Sequence, residues 1–448
     1  MRDLTKGPIV GHLLSMAAFI GISQLFQTLY FLVDLYFVSR LGNAAVAGVS
    51  AAGNVFFIAL AASQIISIGV LALVAQAVGK KNEAEANLFS DQALSMSALF
   101  AGVMLVLGYT LGGAWVNTLT ADADSAAQAR AFLYGFLPSL ALLFPITAMI
   151  SSLRGAGVVR EVMVLQTATV LLNAALAPVL IVGWGTGVAL GALGAGLASS
   201  IASAVGFIAL VLLFPRVQSY LRLRWDALRP RFDAWKRIMF IGFPTSLEFL
   251  MMFVVFAVIY WVIRDFGAEA QAGFGIGGRI MQSIFLPAMA VAFAAAPIAG
   301  QNFGAGLHDR VRETFKAAAL IGAGLMATLS VLCHIAPELM GAPFTDDPDV
   351  LAVTGEYLKI TSWNFVAAGL VMTASSLFQG IGDTRPALIA SATRMITFAG
   401  PAIWLSYQPW AELRHIWLLS VISITLQCLL SVWLLLATFK RKLKPKGT

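Results

Sequence analysis

The sequence predicts an all-α polytopic membrane protein, with twelve transmembrane helices in two six-helix bundles related by a pseudo-twofold axis. Three observations predict it. Charge is scarce, apolar windows long enough to cross a bilayer recur twelve times, and the second half of the chain repeats the first. Of 448 residues, 59% are hydrophobic and 11% are charged, and the mean hydropathy is +0.85. A soluble domain carries about 25% charged residues because its surface must face water. This chain has too little charge to clothe a soluble fold of its length.

A spanning helix needs about 20 mostly apolar residues. Such windows fall near 10–38, 46–78, 88–114, 128–153, 161–183 and 187–214. A second set lies near 236–263, 271–302, 313–337, 352–378, 386–407 and 415–439. The first follows Arg2 and Lys6, as a signal peptide would, but the apolar run from Ile9 to Val38 exceeds an h-region of roughly 7–15 residues. It is read as a transmembrane helix. The domain plan is therefore an N-terminal bundle over 1–214, a basic cytoplasmic linker over 215–235 and a C-terminal bundle with a basic tail over 236–448. Arginines crowd the linker, which Pro215 and Pro230 interrupt, so it reads as a solvated connection.

The net charge of +7 and pI of about 9.5 would raise nucleic-acid binding in a soluble protein. Here the basic residues lie between spans or at the ends, and they set orientation instead. With the N-terminus cytoplasmic, Lys80, Lys81, Arg154, Arg160, Arg310, Arg312, Lys316, Arg385, the linker arginines and the tail from Lys440 to Lys446 all fall inside. The opposite side holds Arg40, Arg130, Arg264, Lys359 and Arg414. Both termini then face the cytoplasm of a bacterial inner membrane. The expected surroundings are the lipid bilayer and small molecules, with no nucleic acid, and the chain is expected to be a monomer.

A shift of 225 residues aligns three separate blocks without a gap. Leu41-Gly42-Asn43-Ala44-Ala45-Val46-Ala47-Gly48 meets Phe266-Gly267-Ala268-Glu269-Ala270-Gln271-Ala272-Gly273. Ala75-Gln76-Ala77-Val78-Gly79 meets Gly300-Gln301-Asn302-Phe303-Gly304. Arg154-Gly155-Ala156-Gly157-Val158-Val159-Arg160 meets Gln379-Gly380-Ile381-Gly382-Asp383-Thr384-Arg385. One offset across three blocks points to duplication. Six helices per half give the repeats the same orientation, with a substrate site expected between them.

These residues resemble the multidrug and toxin extrusion (MATE) family over essentially the whole chain. The resemblance rests on Asp34 followed by Ser39-Arg40-Leu41-Gly42 with Ala47-Gly48, and on the Gln-x-x-Gly pairs ending spans 2 and 8. Gly380-Ile381-Gly382-Asp383-Thr384-Arg385-Pro386 after span 10 completes it. It implies export of cationic or amphipathic drugs in exchange for H⁺ or Na⁺.

Two acids lie inside predicted spans, Asp34 and Glu248. A carboxylate in a span costs at least a few kcal/mol and usually faces a polar cavity on an ion route. The plainer readings are a hydrated helix end for Asp34 and a neutral packing residue for Glu248. Ser23, Gln27, Tyr30 and Asp34 are spaced 4, 3 and 4 apart, so they form one stripe that should point away from lipid. Gln27, Tyr30 and Asp34 look like the proton site of the family's DinF-type branch, and Asn173 matches its span-5 Asn. That branch's second Asp is here Ala177, so the usual two-Asp arrangement is absent. Glu248 resembles the span-7 acid of the NorM-type branch, whose span-10 Asp is here Gln379. Each scheme thus lacks one partner, and the coupling ion is H⁺ or Na⁺. A lone carboxylate among amides and hydroxyls can take a proton, because desolvation disfavours its charged form. Sodium wants several oxygens, as hard cations generally do, so H⁺ is favoured.

Arg279 and Arg394 are cations within spans, read as counter-ions or, preferably, as snorkelling or structural pairs. Asn54, Gln282 and Asn364 line a cavity or, more plainly, bond between helices. Met239, Met251 and Met252 are either an adaptable drug surface or ordinary apolar residues. Gly273-Phe274-Gly275-Ile276-Gly277-Gly278 lacks the strand a dinucleotide loop requires. Cys333 and Cys428 have no disulfide or metal spacing, and the four histidines are scattered. No P-loop or catalytic triad is visible, so neither an enzyme nor a cofactor is expected. Two other readings stand beside drug export. A flippase for a lipid-linked or polysaccharide precursor calls for a more cationic chamber, and a receptor calls for a ligand-binding soluble segment.

Overall fold

The computed structural model describes residues 3–120, 122–217, 221–222, 224 and 228–443. Part of the 215–235 linker, together with Arg2, Lys444 and Lys446, lies outside the described residues. Among the described residues the chain forms fourteen α-helices and no strand. In the first half these are α1 (Ile9–Ser39), α2 (Asn43–Gly79), α3 (Glu83–Leu119), α4 (Ala123–Gly155), α5 (Arg160–Ile181) and α6 (Gly191–Val217). The second half has α7 (Phe232–Ile263), α8 (Ala268–Gly304), α9 (His308–Ile335), α10 (Pro337–Gly341), α11 (Pro348–Thr361), α12 (Asn364–Ile381), α13 (Arg385–Ser406) and α14 (Leu413–Lys442). Twelve are long and apolar enough to cross a membrane, namely α1–α9 and α12–α14.

Two compact units form. One takes in Ile22–Phe243; the other combines Leu4–Gly21 with the chain from Pro244 onward. The division runs through α1 and through α7, each of which contributes its two ends to different units. In the second unit, Leu4 donates its N–H to Gln301 Oε1 (3.2 Å), and Asn302 Nδ2 donates to Leu4 O (3.1 Å). In the first, α7 meets α2 so closely that a Cβ on Gly69 or Gly242 would strike the backbone of Ile238 or Ile65.

Within the first unit α4 is central, packed on α2, α3 and α6, with α5 against α6. Small residues permit this. A Cβ on Gly155 of α4 would come 2.9 Å from Leu71 O of α2, so only hydrogen fits between the backbones. The second unit repeats the device: Gly380 of α12 approaches Ala296 O of α8. There α8 packs on α9, α11 and α12, and α14 packs on α12 and α13.

Two segments differ from the sequence reading. The span expected over 352–378 is broken into α11 and α12. At the break, Trp363 N–H bonds Ile360 O and Phe365 N–H bonds Ser362 O, so the ladder slips from i−4 to i−3. Ser362 Oγ bonds back to Lys359 O (3.0 Å), and Ser330 Oγ from α9 donates to Ser362 O (2.9 Å). A side-chain hydroxyl thereby replaces the helix bond that is lost. Secondly, the described part of the linker is tied down. Gln92 of α3 donates to Arg229 O (2.9 Å) and accepts Arg231 N–H (2.7 Å), while Arg224 pairs with buried Asp91 (3.4 Å). The polar N-terminal turns of α3 supply these partners.

Candidate functional site

The first unit gathers polar groups from three helices around Ser199 of α6. Tyr30 Oη of α1 lies 2.6 Å from Ser199 Oγ, and Asn173 Nδ2 of α5 donates to the same oxygen at 3.4 Å. Ser199 Oγ itself donates to Ala195 O one turn back (3.3 Å). Helical spacing then places Asp34 one turn beyond Tyr30 on the same face. The Asp34 carboxylate lies within interacting range of Ser199 and Tyr30. Its Oδ1 is buried and accepts no hydrogen bond among the described residues. Asn173 is fully buried, and its Oδ1 is likewise without a partner. Ser23, at the inner end of the stripe, is buried. Gln27 is exposed on α1, off the cluster, and among the described residues makes no hydrogen bond to it. Ala177 is buried at the position where the DinF-type branch would place its second acid.

The second unit holds Glu248 in a different setting. Ser375 of α12 donates to its carboxylate at 3.2 and 3.4 Å, and Ser391 of α13 donates at 3.2 Å. Amides stand behind both hydroxyls. Gln379 Nε2 donates to Ser375 Oγ (3.4 Å), and Gln427 Nε2 of α14 donates to Ser391 Oγ (3.2 Å). The donors run in one direction, amide to hydroxyl to carboxylate, which is how a charged acceptor is satisfied in a low-dielectric place. Glu248 is thus a held carboxylate and Asp34 one with a bare oxygen.

Sequence reading missed Ser199, Ser375, Ser391 and Gln427. Single hydroxyls in apolar helices commonly bond to their own backbone, and no spacing separates these from the rest. Of the other residues singled out, Asn54 is exposed and bonds Ala51 O (3.2 Å), while Asn364 is buried and donates to Ser420 (3.3 Å). Arg279 and Gln282 are exposed on α8, and Cys333 and Cys428 are buried free thiols. No cluster of three or more His, Cys, Asp or Glu side chains able to hold a metal occurs among the described residues.

The helices carrying both carboxylates, α1 and α7, enter a known pattern that occurs twice, whereas Ser199 of α6 and Gln427 of α14 lie beyond it. The MatE family profile matches residues 20–179 and again 244–404, at the spacing of the internal repeat. The chain belongs to the MatE family. As a member of it, the protein is a multi-pass membrane transporter and not an enzyme. It is 26% identical to a probable multidrug resistance protein NorM of Thermotoga maritima, over 86% of this chain and 81% of that protein. It is 24% identical to an FAD transporter of Shewanella oneidensis, over 90% of this chain and 89% of that one. Among solved structures, a MOP-superfamily transporter from Pyrococcus furiosus superposes with a TM-score of 0.90 at 20% identity, covering 99% of this chain and 98% of that chain. This MatE member therefore shares the whole fold with its relatives while differing from them at most positions.

Proposed function

We propose that the protein exports cationic or amphipathic organic compounds across the bacterial inner membrane in exchange for H⁺, acting as a monomer by alternating access with both termini cytoplasmic. The bare, buried oxygen of Asp34 carries this reading. Protonation turns an acceptor-only carboxylate into a group that also donates, and Tyr30, Ser199 and Asn173 are the neighbours that register the change. A protonated Asp34 has no charge to attract a cationic cargo, so proton uptake and cargo release are linked, each weakening the other's hold. Glu248 already has its hydroxyl donors and serves as a fixed negative group in the second unit. Sodium is the lesser alternative, because a hard cation asks for several oxygens and Asp34 has few around it. The Thermotoga maritima relative, named for multidrug resistance, supports a broad drug-like cargo.

The energetics are adequate. Exchange of one proton for one singly charged cation moves no net charge, so the pH difference supplies the work: each pH unit gives about 1.4 kcal/mol, enough to sustain roughly a tenfold cargo gradient. The test is uptake of a fluorescent organic cation by everted vesicles under an imposed pH gradient. Wild type accelerates with the gradient, and Asp34→Asn does not. An Asp34→Asn protein that transports as well as its parent and still responds to pH defeats the mechanism.

A further inference from the structure

Three polar side chains of α3 hold the linker by its backbone. Asn87 Oδ1 accepts Arg222 N–H (2.6 Å), and Ser95 Oγ donates to Leu228 O (2.6 Å). Gln92, fully buried, uses both ends of its amide on either side of Pro230, donating to Arg229 O (2.9 Å) and accepting Arg231 N–H (2.7 Å). Proline has a fixed φ and no N–H of its own, so this short stretch is held rigidly. Asp91, 1% exposed, fixes Arg224 through its Nε (3.4 Å).

Because the linker is tied by its backbone, its cations are left for another partner. Arg224, Arg229 and Arg231 line a cavity of about 650 Å³ together with Pro230, Leu88 and Glu85. That volume lies within the roughly 300–1,000 Å³ of ordinary ligand sites. Glu85, the one acid of the lining among the described residues, already meets two cations from outside it, Lys80 (3.3 Å) and Arg237 (3.6 Å). Among the described residues no carboxylate pairs with Arg229 or Arg231. Cations sharing one cavity repel each other, and an anion between them relieves the repulsion. The guanidinium fork suits phosphate, engaging two of its oxygens at once. The cavity also lies where a spanning helix begins. Phe232, the first residue of α7 and next in sequence to Arg231, is 75% exposed and stands edge to face with Trp235 (5.7 Å, 70°). Exposed aromatic rings beside basic residues mark a membrane surface, and basic pockets between spanning helices there take lipid headgroups.

We propose that this cavity binds the phosphate of an anionic phospholipid in the adjoining leaflet, with Arg229 and Arg231 as its principal ligands. The proposal needs only the spanning helices and is independent of the cargo and the coupling ion. The test uses the purified full-length protein in a neutral detergent and reads the saturable energy transfer from its tryptophans to dansyl-labelled lipid. Wild type binds labelled phosphatidylglycerol at least about tenfold more tightly than phosphatidylcholine with the same chains. Arg229→Gln combined with Arg231→Gln weakens phosphatidylglycerol binding by about tenfold. Arg229→Lys combined with Arg231→Lys, which keeps both charges, loses less. Arg160→Gln combined with Lys316→Gln removes the same charge from exposed positions elsewhere and stays within about twofold of wild type. An equal loss in the two glutamine pairs means diffuse attraction and overturns the site. Equal binding of the two lipids by wild type overturns it as well. If sn-glycerol 3-phosphate displaces the labelled lipid as effectively as unlabelled phosphatidylglycerol does, the cavity takes free phosphate and the lipid assignment falls.

Discussion

Gly42 enters α2 at φ 99°, ψ 172°, and Gly267 enters α8 at φ 104°, ψ 170°, 225 positions later. Both helices then run for 37 residues and end in caps of nearly the same geometry. Lys81 (φ 56°) and Gly306 (φ 72°) follow in the left-handed region, as do Gly157 (81°) and Gly382 (76°) after α4 and α12. The backbone plan of the two units is the same where the chain must turn tightly. Their charges are not. The position equivalent to Asp34 is Ile259, and the position equivalent to Glu248 is Ser23. The two carboxylates thus sit 11 residues apart in register, about 16 Å along a helix axis. The bases differ too: Arg154, whose Nη2 bonds Gln166 (3.3 Å), corresponds to Gln379, and Arg394 corresponds to Thr169. Turns restrict residue type through φ, whereas a polar site restricts it only through its neighbours, so duplicated units can share a frame and hold different groups.

The helix break shows the same division. Pro138 in α4 corresponds to Trp363, between α11 and α12. Pro138 has no N–H, so it leaves Tyr134 O without its helix donor, and the Tyr109 hydroxyl supplies one (3.2 Å). Ser200 Oγ bridges the next gap, donating to Gly135 O (2.6 Å) and accepting Ser139 N–H (3.1 Å). In the second unit the equivalent of Tyr109 is His334, whose Nδ1 lies 3.0 Å from Ser362 Oγ. Different side chains repair the same weak point.

The largest expected effect is the contrast between the acids. Asp34→Asn lowers pH-driven efflux by more than about tenfold. Glu248→Gln, which keeps an acceptor for Ser375 and Ser391, lowers it by only about two- to fivefold. Equal losses would erase the proposed difference between them. Next comes Ser199→Ala, which removes the shared partner of Tyr30 and Asn173. Leaving buried polar groups unsatisfied costs about 1–3 kcal/mol, read as a lower thermal midpoint in detergent and a shifted pH profile of transport. A shift in stability alone would make Ser199 a packing residue.

Smaller still is the effect of Lys81, the one non-glycine residue at positive φ among the described residues. Lys81→Gly gives the first unit the residue that the second already has. Relief of the left-handed penalty, about 1–2 kcal/mol, outweighs the chain-entropy cost of roughly 0.5–1 kcal/mol, so stability rises slightly. Gly306→Lys goes the other way. The smallest effect belongs to Asp122, which caps α4 by accepting Ser125 N–H and Oγ–H, each at 2.8 Å. Those bonds, backbone first, hold its carboxyl below the usual range. A depressed folded-state pKa stabilises above the unfolded value and is lost as pH falls through the folded one. The stability advantage of wild type over Asp122→Ala should therefore be constant near neutrality and disappear in acid.

Much of this architecture is legible in the residues. The run from Val55 to Val78 contains no charge, so it can only be a buried or spanning helix, and Gly42 and Gly267 mark their turns because few residues tolerate that φ. The break at Ser362 was not legible: 352–378 reads as one apolar helix, and its interruption depends on Ser330 and His334 from a neighbouring helix. Asp34 and Glu248 stand out because intramembrane carboxylates are rare. Ser199, Ser375 and Ser391 do not, since tertiary contact alone separates a structural serine from one that serves an acid. Arg394 is read preferentially as paired or snorkelling; among the described residues no carboxylate pairs with it, and Tyr357 is its electrostatic neighbour.

Direct measurement of proton exchange tests the central claim best. Purified protein in weakly buffered detergent near neutral pH is mixed with a saturating organic cation, and the released protons are counted with an indicator dye. Wild type and Glu248→Gln should each release up to about one proton per bound cargo, and Asp34→Asn should release none. Undiminished release from Asp34→Asn would place the exchanging proton elsewhere and contradict the account.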